Sequence, residues 1–197
     1  MTYQKILLTA FEPFDATGTN SSLEVLRRLD LPWLQTAVLP VSYRRAAEEI
    51  GKLIEANRPD LVVCLGQAGG ESMVRLEKVA LNYTRASVAD NDGVLLRCGA
   101  VLSDAPDAIF TGTEIETLID RLSEKHAVKL SLTAGSYVCN STYFTALYRN
   151  DGQALFVHLP YCTGQGEPSE TPERMAQTVR ELLTLLHTPN PSYTKIR

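Results

Sequence analysis

Five short apolar runs, KILLTA, LQTAVLPV, LVVCLG, VKLSLTAG and ALFVHLP, restrict the fold of this chain more than any other feature. Each has the length of a strand, and segments of helical periodicity separate most of them: LEVLRRL, YRRAAEEIGKLIEA, GTEIETLIDRLSEKH, the stretch after Cys139, and TPERMAQTVRELLTLLH. Strands alternating with helices imply an α/β fold. Near-continuous apolar strands such as LVVCL imply a twisted, mostly parallel central sheet covered on both faces, a single-domain α/β/α sandwich spanning 1–187. MVRLEKVALNY follows its predecessor without a helix, and with the turn-rich stretch after it this predicts a hairpin-like extension near 73–100. The tail TPNPSYTKIR, 188–197, is expected to be extended or mobile.

Composition then removes several classes of function. With 197 residues, 44% of them hydrophobic, the chain can build a core without disulfide or metal staples. A net charge of -4 with scattered Lys and Arg leaves no basic footprint for nucleic acid or anionic lipid. No apolar run approaches a membrane span, and the N-terminal one meets Glu12 and Asp15 too soon for a secretory signal. Cys64, Cys98, Cys139 and Cys162 form no CxxC pair, so no metal site is expected and four free thiols in a reducing cytoplasm are.

Ligands of parallel α/β sheets gather where strands end and turn into helices. If the strands are parallel, the tips FEPFDATGTNSS, GQAGGE, SYVCN and HLPYCTGQGEP share one rim. Cys139 then stands at the end of one strand and His158 at the end of the next, in contact if those strands pair directly. A thiol at a helix N-terminus faces unpaired N–H groups, which favour the thiolate and can receive an oxyanion; Asn140 and Ser141 are available as caps. A core cysteine remains the competing reading. His126 and His187 fall at helix ends, where a capping role suffices, which leaves His158 as the candidate base. For a third, orienting group the choice stays open between Glu77, whose bland reading is a surface salt bridge with Arg75 or Lys78, and the carboxylates of DNDG, Asp90 and Asp92.

LLTAFEPFDATGTNSS, CLGQAGG, LEKVALN, ADNDG, AGSYVCN and FVHLP, in this order and spacing, resemble the pyroglutamyl-peptidase I (pyrrolidone-carboxylate peptidase) family of cysteine peptidases, over residues 5 to about 160. The resemblance implies a phosphorylase/hydrolase-like fold and cofactor-free, cytosolic removal of N-terminal pyroglutamate from peptides, by a homodimer or tetramer. It implies Cys139 as nucleophile, His158 as base and Glu77 as the acidic member, with Asp90 a further carboxylate of the site. It also implies Phe11 and Phe14 as the aromatics around the pyroglutamyl ring, with Asn20 and Gln67 on neighbouring binding loops.

A flat, neutral lactam suits an aromatic slot with a donor and an acceptor for its ring amide. Where relatives carry an arginine three residues before the site Asp, this chain has Ser87, with Arg85 two residues earlier. Either Arg85 reaches in, or backbone N–H groups hold the oxyanion. Three rivals to the peptidase follow: a phosphorylase-type transferase with phosphate on GQAGG, a thiol amidase of shifted specificity, and a non-catalytic lactam-binding protein.

Overall fold

A computed structural model describes residues 3–14 and 18–187, so the expectation for the tail lies outside the described residues. In chain order the elements are β1 (Ile6–Phe11), α1 (Ser21–Leu26), β2 (Leu34–Leu39), α2 (Tyr43–Asn57), β3 (Leu61–Gln67), β4 (Val74–Glu77), β5 (Val79–Leu81), β6 (Ala108–Phe110), α3 (Ile115–Leu122), β7 (Val128–Ser131), α4 (Val138–Arg149), β8 (Ala154–Leu159), β9 (Tyr161–Cys162), β10 (Ser169–Glu170) and α5 (Pro172–His187). Local chemistry starts and stops the helices. Asn20 caps α1, Ser42 caps α2 by accepting from the Arg45 N–H at 3.1 Å, and Pro172 opens α5. Arg58 ends α2 in the left-handed region, φ 46°.

The main sheet has six strands in the order β2-β1-β3-β8-β4-β7. Alternation along its buried strands sends side chains to two cores. Leu7, Phe11, Val62, Cys64 and Phe156 face α2 and α4, whereas Ile6, Leu8, Val63, Leu65 and Val157 face the α1, α3 and α5 side. This is the expected α/β/α layering.

The strand order corrects one step of the sequence reading. β7 and β8 do not pair: β4 lies between them, parallel to β7 and antiparallel to β8. The chain leaves β3 and enters β4 without a helix, and a short connection lacking a crossover can only reverse the strand direction. Helix α3 then supplies the crossover that makes β7 parallel to β4. The VKLSLTAG strand therefore runs away from the rim shared by β1, β2, β3 and β8, and ends with Ser131 beside Glu77. Residues 132–137 lead back to the start of α4.

The expected extension is present but begins later. VRLE belongs to the main sheet, and the antiparallel pairing consists of β5 with β6 and a bridge between Thr84 and Gly99. Asn140 anchors it. Instead of capping α4, its fully buried side chain accepts from the Leu81 N–H at 2.9 Å and donates to the carbonyls of Leu81 at 2.8 Å and Tyr83 at 3.0 Å. Removing these partners leaves β5 backbone groups unsatisfied, at ~1–3 kcal/mol per group. Asn140→Ala is accordingly expected to lose ~3 kcal/mol and lower the melting temperature by about 6–12 °C, read by calorimetry.

His126 and His187 bond other elements rather than capping their own. His126 lies between Glu181, 2.9 Å from Nε2, and Thr178, 3.0 Å from Nδ1. His187 bonds the Tyr3 carbonyl at 2.9 Å and stacks on Trp33. No helix among the described residues is long and apolar enough to cross a membrane.

Candidate active site

Where β1, β2, β3 and β8 end, their following segments and the start of α4 enclose a cavity of about 180 Å³. Pockets for drug-sized ligands run ~300–1,000 Å³, so this one suits a single small ring. Phe11 and Phe14 come from β1 and its exit, Val41 from the exit of β2, and Gln67 and Gly69 from the end of β3. Tyr137, Val138 and Cys139 come from the start of α4, Tyr161 follows β8, and Asn20 precedes α1.

Cys139 reaches the rim although its preceding strand does not. Its Sγ lies 3.1 Å from where a Cβ on Gly66 would stand, and that same position is 2.6 Å from the Phe156 ring. Only glycine fits there, and its missing side chain is the space the thiol occupies. Gly66 is the register partner of His158 on β8, so thiol and imidazole lie over adjacent strands.

Beneath the cavity, His158 Nδ1 bonds Glu77 Oε1 at 2.7 Å across the β4–β8 pairing. Glu77 has no exposed surface, and Arg75 Nε lies 3.3 Å from its Oε1. The salt bridge with Arg75 thus exists but is buried, and Lys78 points elsewhere, to Glu116. With Nδ1 engaged by Glu77, Nε2 is the imidazole nitrogen left for another partner.

The protonation of this pair differs from the sequence expectation. Burial pushes the Cys139 thiol up to about 12, with the nearby Cys64 and Glu77 adding to the rise. The helix start does not produce a resting thiolate, because removal from water outweighs the favourable N–H groups. Burial also lowers the His158 pKa below the ordinary histidine value, opposed by the bond to Glu77. At neutral pH both groups rest uncharged.

No side chain caps α4. Tyr137 stands at its N-cap without a side-chain bond, and Ser141 N–H is the first to reach back, to the Tyr137 carbonyl at 3.1 Å. The N–H groups of Val138, Cys139 and Asn140 precede that first intrahelical bond and are open to an anion. Arg85 is exposed and does not line the cavity; its backbone is tied to Ser136, N–H to carbonyl at 2.9 Å.

The remaining candidates divide. Phe11 is buried at the cavity floor, and Phe14 meets the Tyr137 ring edge-on at 5.4 Å. Gln67 accepts from the Ser21 N–H at 2.8 Å and from Gln165 at 3.0 Å through its Oε1, so its Nε2 is the group it can offer a ligand. Asn20 lines the cavity while its side chain caps α1 and donates to the Glu12 carbonyl.

Asp90 does not line this cavity, contrary to expectation. Its carboxylate accepts from the N–H groups of Tyr43, Asp92 and Val94, which ties the DNDG turn to the start of α2. Tyr137 and Tyr161 were not identified from sequence, although Tyr137 lies within the motif SYVCN and Tyr161 directly follows FVHLP.

A family profile described as pyroglutamyl peptidase matches residues 4–181. The chain is 34% identical over 185 residues to a pyrrolidone-carboxylate peptidase of Thermococcus onnurineus, which covers 89% of this chain and 92% of the relative. With the pyrrolidone-carboxylate peptidase of Cupriavidus necator it shares 33% identity over 192 residues, 89% of each chain. Among solved structures, the pyrrolidone carboxyl peptidase of Fervidobacterium islandicum superposes with a TM-score of 0.86 at 36% identity, over 92% of this chain and 97% of that one. Pyroglutamyl peptidase I of Bacillus amyloliquefaciens gives 0.87 at 25% identity, over 93% and 97%.

Proposed function

This chain belongs to the pyroglutamyl peptidase family and is a cysteine peptidase that removes N-terminal pyroglutamate, and we propose that Cys139 is its nucleophile, His158 its general base and Glu77 the group that orients the imidazole. The observation that carries this reading is the Cys139 sulfur over Gly66, beside the histidine whose far nitrogen bonds a fully buried carboxylate. Resting as neutral thiol and neutral imidazole, the pair reacts by proton transfer as the bond forms. His158 Nε2 takes the thiol proton while Sγ attacks the pyroglutamyl carbonyl, and the open N–H groups of α4 receive the oxyanion. The imidazolium, stabilised by Glu77, returns the proton to the leaving amine. Water then hydrolyses the acyl thioester with His158 again as base.

Recognition rests on shape and on one ring amide. Phe14 and Tyr137 flank the slot, Phe11 floors it, and Gln67 Nε2 is a donor for the lactam carbonyl, with Asn20 beside it. A proline residue lacks that carbonyl and leaves the donor unpaired, so a prolyl amide is expected to turn over ~10⁴-fold more slowly than the pyroglutamyl amide. Comparable kcat/KM for the two fluorogenic amides would refute the slot assignment.

The pH profile tests the acid–base roles. Because burial lowers the His158 pKa, the base stays unprotonated down to below pH 6.5, and kcat/KM is expected to hold level from pH 8 to that point before falling. Inactivation by iodoacetamide should quicken about tenfold per pH unit between pH 8 and 10, since only the thiolate reacts and its fraction rises with pH. A reactive thiolate already complete at pH 7 would contradict the neutral pair.

All four cysteines are free, which supports work in a reducing cytoplasm. Phe110 and Leu132, both more than half exposed, support association into a homo-oligomer. The two cores share one sheet, which supports 1–187 as one catalytic domain.

A further inference from the structure

Three basic side chains lie abreast across the sheet. The pairing registers place His158 of β8 opposite Arg75 of β4, and Arg75 opposite Lys129 of β7. Side chains in lateral register share a face, and adjacent like charges destabilise a sheet unless acids separate them. Here they do.

Glu71, from the loop before β4, receives Lys129 Nζ at 2.9 Å on one oxygen and Arg75 at 2.8 Å on the other. Glu77, two residues beyond Arg75, lies 3.3 Å from Arg75 Nε and 2.7 Å from His158 Nδ1. The series Lys129, Glu71, Arg75, Glu77 alternates in sign from the half-exposed lysine to the fully buried carboxylate, and ends on the neutral imidazole of His158.

We propose that Arg75, braced by Glu71 and Lys129, is a positioning residue of the hydrolytic reaction: it supplies the counter-charge for buried Glu77 and sets how readily His158 accepts a proton. A carboxylate fully removed from water is costly unless paired, and Arg75 is the cation beside it. The same guanidinium has a nitrogen 3.3 Å from His158 Nδ1. Its positive charge repels that of an imidazolium, so it opposes protonation of His158 while Glu77 favours it. The charged groups acting on His158 are Arg75 and Glu77 from β4 and Glu71 from the loop before it, with Cys139 and Tyr143 of α4 acting on the same Glu77 and Cys64 of β3 near the thiol.

Arg75 does not line the cavity, so its removal should change kcat and the pH profile but not KM. Arg75→Gln is expected to move the acid limb of kcat/KM upward by roughly one pH unit, because the repulsion that disfavours the imidazolium is gone. Its kcat should fall about tenfold as Glu77 loses its brace, with KM within twofold. Arg75→Lys restores the charge and should return the limb to the wild-type position with most of kcat. Lys78→Gln, which removes a cation next in sequence to Glu77 but paired with Glu116, should leave both unchanged.

A nitrogen-15 titration of His158 reads the same shift without turnover. It keeps this proposal separable from the base assignment of His158 on which it rests: an inactive His158→Ala enzyme supports that assignment whatever Arg75 does. An Arg75→Gln limb or titration that overlays wild type, or moves to lower pH, overturns the proposal. So does an Arg75→Lys enzyme as impaired as Arg75→Gln with its limb unmoved.

Discussion

Cys139→Ser is expected to lower kcat/KM on a pyroglutamyl amide at least ~10⁴-fold, with little change in melting temperature. A hydroxyl at this position inherits a setting that already holds the better acid, the thiol, protonated up to about 12. The proton must leave during attack, and an alcohol gives it up far less readily. The oxygen is also smaller than the sulfur, in a place shaped by the absence of a side chain on Gly66, whose Cβ would stand 3.1 Å from the sulfur. His158, Glu77 and the N–H groups of α4 are untouched, so the fold has no reason to fail. The variant should resist iodoacetamide at the active site while Cys98, the exposed cysteine, still reacts. Wild-type turnover by purified Cys139→Ser would remove the nucleophile assignment.

Glu77→Gln is expected to lower kcat about 10³-fold with KM nearly unchanged, a loss of the kind seen when the orienting carboxylate of a hydrolytic triad becomes an amide. Arg75 Nε at 3.3 Å and His158 Nδ1 at 2.7 Å share one carboxylate oxygen, Oε1, so the amide oxygen takes that place and the bond to Nδ1 loses its charge. A neutral amide oxygen holds the Nδ1–H tautomer, the one that leaves Nε2 free to accept the thiol proton, less firmly than a carboxylate does. The imidazolium formed during attack would also stand beside Arg75 with no carboxylate to offset it. Nitrogen-15 chemical shifts of His158 report the tautomer directly, and circular dichroism checks the fold. Activity within tenfold of wild type, with the native tautomer retained, would reduce Glu77 to a packing residue.

Most elements were legible because their signals are local. KILLTA, LVVCLG and ALFVHLP stand as β1, β3 and β8, and YRRAAEEIGKLIEA as α2, since periodicity and capping act within a few residues. VRLE was not legible as a central strand. Four residues inside a longer apolar stretch carry no mark of which strand they join, and β4 inserts between β8 and β7, partners 81 and 54 residues away. Asp90 read as a site carboxylate because its sequence neighbourhood matches the family, whereas its oxygens accept two N–H groups of its own turn and that of Tyr43, which only the folded α2 brings near. Tyr137 and Tyr161 were passed over because an aromatic in or beside a motif reads equally as core.

By itself, the sequence determined the class of fold, the family, and the residue types available for a thiol mechanism, because composition, periodicity and motif order are properties of the chain alone. The protonation state of the thiol was decided by tertiary structure: a helix start argues for thiolate, but burial over Gly66 prevails. So was the approach of Cys139 to His158, which comes from α4 lying over the β3–β8 pair rather than from adjacent strands. The series from Lys129 to His158 likewise exists only in the folded sheet, since register across β7, β4 and β8 depends on pairings between distant segments, which no local pattern records.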